Sequence, residues 1–286
     1  MKILLIISLV VTIAFTIYLF MKKSNKAKYF LIVSLFLVAA NFFFRFIPPH
    51  IKEEIKARIF SEYISNEIVL TDSSLEFLSD DFNSDSLSAD WIPYNIGMVD
   101  ITISNGQLIL TPNVESVWWL KERGPMIYKM INGDFSLSTK VQTRKASDTT
   151  KYPDKEWQFG GVMLRDPTSE NPERGENYVF IVIGYRGSLL EVEVKSTLSG
   201  NSDVTGISWP NGDAELRISR KGNLFYMMAR KNSTQKWQVM KIYERPDLPD
   251  ELQAAIIVYS FSNYKGIVDF VARFDEIKFW KSTFEF

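Results

Sequence analysis

Glu191 and Glu193 stand two apart in the run Glu191-Val192-Glu193-Val194-Lys195. On a β-strand that spacing turns both carboxylates to one side, about 6.5–7 Å apart. Carboxylates so paired can do acid–base work, one protonating a leaving group while the other attacks or activates water. The same alternation also describes a plain solvent face with Val192 and Val194 buried beneath it. Flat rings offer a second chemistry, because indoles stack on the apolar faces of pyranose rings while nearby polar groups satisfy the hydroxyls. Trp118, Trp119, Trp157, Tyr185 and Trp209 lie close to loops and are candidates for that role. Trp118 and Trp119 are chain neighbours, so on a strand only one of them enters a given core layer, leaving the other to cover a groove, meet a loop or stand exposed. Core packing is the ordinary use of any single tryptophan, and Trp91 and Trp237 read that way.

Other chemistries are excluded by what the chain lacks. It has no cysteine and one histidine, His50, which removes disulfides, thiolate metal sites, a cysteine nucleophile and a Ser-His-acid triad in the region that follows. No glycine-rich phosphate loop is present, and Gly160-Gly161 sits in an apolar run where it suits close packing or a bulge. Asn232-Ser233-Thr234 matches a glycosylation sequon, a pattern frequent by chance.

The formal charge of −1 conceals two opposite parts. Residues 1–66 carry nine Lys/Arg against three Asp/Glu, while residues 67–286 carry 24 against 31. An acidic body of this kind argues against nucleic acid as a partner, since phosphate binding needs a basic face.

The basic front end is also apolar. Residues 3–20 and 29–47 form two hydrophobic runs, the second interrupted by Arg45 alone, and as helices their uncharged stretches reach about 27 and 24 Å, close to the hydrocarbon thickness of a bilayer. The loop 21–28 between them holds four lysines and no acid. Positive-inside bias keeps such a loop cytoplasmic and places both termini, with everything after Ile47, on the extracytoplasmic side of the cell membrane. A cleaved signal peptide is the competing reading; the length of the first run, its ending in Tyr18-Leu19-Phe20 and the second run weigh against it. Residues 48–79 then form a linker in which Ile51, Ile55, Ile59 and Tyr63 recur every fourth position, the pattern of a short amphipathic helix.

From Asp80 to the C-terminus the texture changes to short runs of β-formers divided by turn residues such as Asn105-Gly106, Asn132-Gly133, Asn211-Gly212 and Gly222-Asn223. At least eleven strands, short connections and no crossover helices predict an all-β antiparallel sandwich of jelly-roll type over residues 80–286. Asp80, Asp81 and Asp275 are its best oxygen donors, and a structural calcium there would tie the two chain ends together. Ordinary turn chemistry explains the same aspartates.

Residues of this body resemble a known family. Asp80-Asp81-Phe82, Leu87 and Trp91, followed by Ile103-Ser104-Asn105-Gly106-Gln107-Leu108, are similar to the opening of concanavalin A-like lectin/glucanase jelly-roll domains. Gly133-Asp134-Phe135 through Val141, Phe159-Gly160-Gly161 through Asp166, Glu176-Asn177-Tyr178-Val179-Phe180 and the closing Val271–Phe279 follow in the same order, most like the modules appended to β-xylosidases. The resemblance implies a glycan as ligand or substrate. Members that cleave glycans carry E-x-D-x-x-E on one strand, and Glu191-Val192-Glu193-Val194-Lys195 matches it in part, with Glu at the centre and Lys195 following. The incomplete pattern ranks a recognition module, binding glycan or another envelope component, above a hydrolase. A non-catalytic assembly protein of the envelope is the third reading.

Overall fold

The computed structural model describes residues 73–170, 175–262 and 268–281. Both predicted membrane runs and the amphipathic linker helix lie outside them. Among the described residues no helix is long and apolar enough to cross a membrane.

Turn chemistry fixes the local pairings. Asn105 and Gly106, both at positive φ (54° and 69°), make a two-residue turn that pairs Ser104 with Gln107. Gly187 and Ser188 (58° and 88°) do the same between Arg186 and Leu189, and so set which side chains share a face in that hairpin. Asn211-Gly212 departs from expectation: neither residue has positive φ, and the Gly212 carbonyl accepts the Thr143 N–H at 2.8 Å.

Fourteen antiparallel strands result among the described residues: β1 (Ile92–Tyr94), β2 (Val99–Ser104), β3 (Gln107–Pro112), β4 (Met126–Asn132), β5 (Phe135–Arg144), β6 (Gln158–Arg165), β7 (Tyr178–Arg186), β8 (Leu189–Leu198), β9 (Asn201–Ser208), β10 (Asp213–Lys221), β11 (Leu224–Arg230), β12 (Gln238–Glu244), β13 (Glu251–Ser260) and β14 (Val271–Lys281). They form two seven-stranded sheets, β1-β4-β13-β6-β7-β8-β9 and β12-β11-β10-β5-β14-β3-β2. The two-sheet antiparallel sandwich is the predicted architecture, with β1, β4 and β9 beyond the eleven strands read from the sequence.

The main core lies between the sheets, where Val162, Ile181, Val192, Val194 and Ile256 of the first meet Leu137, Leu216, Ile218, Phe225 and Phe274 of the second. Close approach is built in at Gly160, where an added Cβ would collide with the Ala272 side chain of the opposite sheet. Asp80 pairs with Ile277 of β14, so the described N-terminal segment is joined to the last strand.

One feature departs from a simple sandwich. Every residue of β6 is buried, as are the first seven of β7 and nine of ten in β13, so the first sheet is covered on its outer face as well. A second apolar cluster forms there from Trp118, Met126, Phe159, Met163, Tyr178, Phe180, Val182, Ala255, Ile257 and Tyr259.

Candidate functional site

Strand alternation puts Val192 and Val194 of β8 into the main core and turns Glu191, Glu193 and Lys195 to the outer face, level with Gly184, Val182 and Phe180 of β7 respectively. The solvent-face reading of this run does not hold, because all three charged side chains are buried, Glu193 and Lys195 to 1 % and 2 % exposure.

Segment 113–125 crosses this face. It is fastened at one end by the Ser116 N–H to the Ser260 carbonyl (2.9 Å), at the middle by the Trp118 carbonyl, and at the far end by Arg123. The Trp118 carbonyl accepts from the Lys195 ammonium at 2.5 Å and from the Tyr178 hydroxyl at 2.9 Å. Arg123 donates to the Ser169 carbonyl (2.6 Å) and to Glu176, whose carboxylate is also held by the fully buried Arg165 at 2.8 Å.

The carboxylates themselves are clamped. Arg186, brought to the same face by the Gly187-Ser188 turn, places Nε 2.8 Å from Glu191 Oε1 and Nη1 3.1 Å from Glu193 Oε2. Gly206 on the neighbouring β9 leaves the room, since a Cβ there would strike the Glu191 carboxylate and the Arg186 guanidinium. The Tyr259 hydroxyl approaches Glu193 Oε1 at 3.5 Å.

Burial dominates the electrostatics. It pushes the Glu193 carboxyl up to about 7, against the pull of Lys195 and Arg186, and brings the Lys195 ammonium down to about 8, against the pull of Glu193. Glu191 is raised less, again by burial and again opposed by Arg186.

The aromatic candidates divide. Trp119 is 38 % exposed, with its ring 4.6 Å from Lys195 Nζ. Trp157 is half-buried beside the Arg186 guanidinium, 5.9 Å from its ring centroid, and has φ +59°, an uncommon conformation for a bulky residue. These two stand toward opposite ends of the charged row on β8. Trp118 is wholly buried, stacked on Tyr94 and edge-on to Tyr178. Trp209 is buried in the main core and donates its Nε1–H to the Asp213 carbonyl at 3.0 Å. Tyr185 alternates to the opposite side of β7 from Arg186 and does not join the carboxylates.

The aspartates meet only in part. Asp81 and Asp275 line one cavity of about 410 Å³ with Asn83, Gln107 and Glu276, but the Asp80 carboxylate accepts from the Phe82 N–H on one oxygen and from the Trp91 Nε1–H on the other, each at 2.9 Å. Asp275 faces Lys140 at 3.3 Å. Among the described residues no group of three or more His, Cys, Asp or Glu is arranged to hold a metal. The expected calcium site is therefore not assembled from these three carboxylates.

Arg186, Gly206 and Tyr259 complete the site and were not read from the sequence as site residues. The signal for Arg186 was available in the Gly187-Ser188 turn, which fixes the register. Nothing local marks Gly206 or Tyr259.

This geometry belongs to the concanavalin A-like jelly-roll fold, as the resemblance of the sequence implied. The chain superposes on the GH43 protein BlXynB of Bacillus licheniformis with a TM-score of 0.55 at 15 % identity, covering 71 % of this chain and 39 % of that one. A GH43B protein from a xyloglucan locus of Bacteroides ovatus gives 0.52 at 15 % identity, covering 71 % and 39 %. A functionally unknown protein of Saccharomyces cerevisiae gives 0.54 at 12 % identity, covering 68 % of this chain and 96 % of its own. The match thus spans less than half the length of the two GH43 proteins, and at such identities the likeness is one of fold. No protein-family model and no curated protein matches the sequence.

Proposed function

We propose that the chain is a membrane-anchored module that holds its β-sandwich on the extracytoplasmic side and there recognises carbohydrate of the cell envelope. The apolar runs 3–20 and 29–47 with their lysine-rich loop support the anchoring and the orientation. The observation that carries recognition is the charged row on β8, where Trp119 and Trp157 flank Glu191, Glu193 and Lys195 with Arg186 of β7 beside them. Rings at the ends and fixed polar groups between them suit a ligand with apolar ring faces and many hydroxyls. The name of one fold neighbour, from a xyloglucan locus, is in keeping with such a ligand.

Hydrolysis is the second reading, favoured by one observation: a carboxyl at about 7 suits a general acid. Against it, Arg186 engages both carboxylates at once. Screening the full chain in detergent micelles against a glycan array, with product analysis in parallel, tests both. Binding that is lost in Trp119→Ala with melting preserved supports recognition, and released sugar that disappears in Glu193→Gln would move the reading to an enzyme. No binding to any glycan would leave an assembly role in the envelope. For the orientation, protease added to spheroplasts should remove the sandwich; full protection beside digested outer-face controls would overturn it.

A further inference from the structure

We infer that Lys195 is the positioning residue of this site, its ammonium fixing from beneath the ring of Trp119 that a ligand would meet from outside. The inference rests on the recognition reading of the β8 face. Its basis is a set of contacts that converge on one nitrogen. Lys195 is 2 % exposed while Trp119 is 38 % exposed, so the ammonium, 4.6 Å from the ring centroid, lies on the protein side of the indole. The same nitrogen donates to the carbonyl of Trp118, the residue just before, and so holds the backbone that aims the ring. Phe180 closes the nitrogen in from β7, 5.1 Å away. A cation stacked on one face of an indole and bonded to its own peptide leaves that side chain few other poses.

The next residue shows why such a hold is needed. Leu120 has φ +55°, an uncommon value for a leucine, and Trp119 is bridged to Glu122 across this turn. A turn of that kind does not keep a large exposed ring in place by itself. The charged and titratable groups facing Lys195 are Glu193 on its own strand, Arg186 and Tyr178 from β7, and Tyr259 from β13 acting through Glu193. Burial raises both tyrosines, so they stay protonated around neutrality while the lysine loses its proton above about pH 8.

The test reads the ring directly and needs no ligand. The full chain in detergent micelles, labelled with 5-fluorotryptophan, has seven tryptophans, and Trp119→Phe identifies the line of Trp119 by its loss. Lys195→Met should shift and broaden that line and leave those of Trp209 and Trp237 in place, while Lys195→Arg restores it. An unchanged Trp119 line in Lys195→Met overturns the inference. Should Lys195→Met fail to fold, the native protein serves: its Trp119 line should move with a midpoint near pH 8, and at lower pH in Glu193→Gln, which removes the carboxylate that holds the proton on Lys195; a native line that stays still from pH 6.5 to 9.5 overturns the inference. A failed glycan screen would sink the recognition reading and leave this measurement standing.

Discussion

Neutralising Glu193 should remove a pH dependence that the native domain carries between pH 5 and 8. In the fold its carboxyl sits at about 7 instead of the ordinary 4.5, chiefly because burial penalises the charged form. The folded carboxyl therefore binds its proton more tightly than the unfolded one. Its contribution to stability is complete below about pH 4.5 and is lost as pH rises through about 7. A difference of about 2.5 units at 1.36 kcal/mol each bounds the effect at about 3 kcal/mol. For a domain of this size that is on the order of 10 °C in melting temperature. Asp148, exposed and drawn down to about 2 by Thr150 and Lys151, titrates below this window, Lys195 at about 8 reaches its upper edge, and Glu191, also raised by burial, acts in the same sense as Glu193 in both proteins. The assay is thermal melting of the full chain in micelles at half-unit steps from pH 5 to 8, native beside Glu193→Gln. The native curve should fall toward pH 8, and the variant should fall by clearly less, with Glu191 left to titrate in that sense. Parallel curves would refute the reasoning, as would native stability that rises with pH.

Two glycines of the site sheet should respond differently to alanine. At Gly161 the new Cβ meets the Ile181 backbone carbonyl, which cannot yield, so Gly161→Ala should cost about 3 kcal/mol by chemical denaturation. At Gly206 the nearest atoms are side-chain ends, those of Glu191 and Arg186, rather than backbone, so Gly206→Ala should cost about 1 kcal/mol and displace the clamp. Trp118→Ala should lose about 3–5 kcal/mol as a fully buried aromatic, whereas Trp119→Ala should lose less than about 1 kcal/mol in the same denaturation series. Arg165→Met leaves the buried Glu176 carboxylate with Arg123 alone, and should cost about 3–5 kcal/mol while speeding proteolysis within segment 113–125.

The sequence shows the sandwich because most of its strands alternate and turn residues mark their ends, with Asn105-Gly106 and Gly222-Asn223 closing hairpins. Each of the three unread strands lacks that signature. β1 is three residues long around Pro93, β4 is packed on both sides and loses its period, and β9 is a polar edge strand. Glu191 and Glu193 share a face as their spacing requires. Their burial, however, depends on segment 113–125 and on Arg186, which long-range packing brings to them. Trp209 and Tyr185 look loop-like in the sequence because they sit at strand ends, yet the core reaches that far at Trp209, and the parity of β7 turns Tyr185 away. Asp80 resembles a metal ligand by type, and only the fold reveals that Trp91 has taken its free oxygen.

The charge balance on β8 bears on what the face can accept. Two carboxylates and the Lys195 ammonium are buried beside the part-exposed Arg186 guanidinium, and each carboxylate is stabilised by Arg186 against the cost of leaving water. Glycoside hydrolysis needs one carboxyl protonated and the other ionised, each with an oxygen free toward the sugar. A guanidinium bridging the pair occupies one oxygen of each, Glu191 Oε1 and Glu193 Oε2, and favours the ionised form of both. The same bridge makes a floor with no net charge to strand, over which a neutral ligand can exchange hydroxyl contacts for water at little electrostatic cost. An anionic sugar would have to draw Arg186, 28 % exposed, away from carboxylates that then remain buried and unpaired. Neutral oligosaccharides should therefore outcompete uronate-containing ones for the full chain. Preference for the uronate in that competition would make Arg186 a recognition group that swings to the ligand, and would free the carboxylates for chemistry that the clamped arrangement denies them.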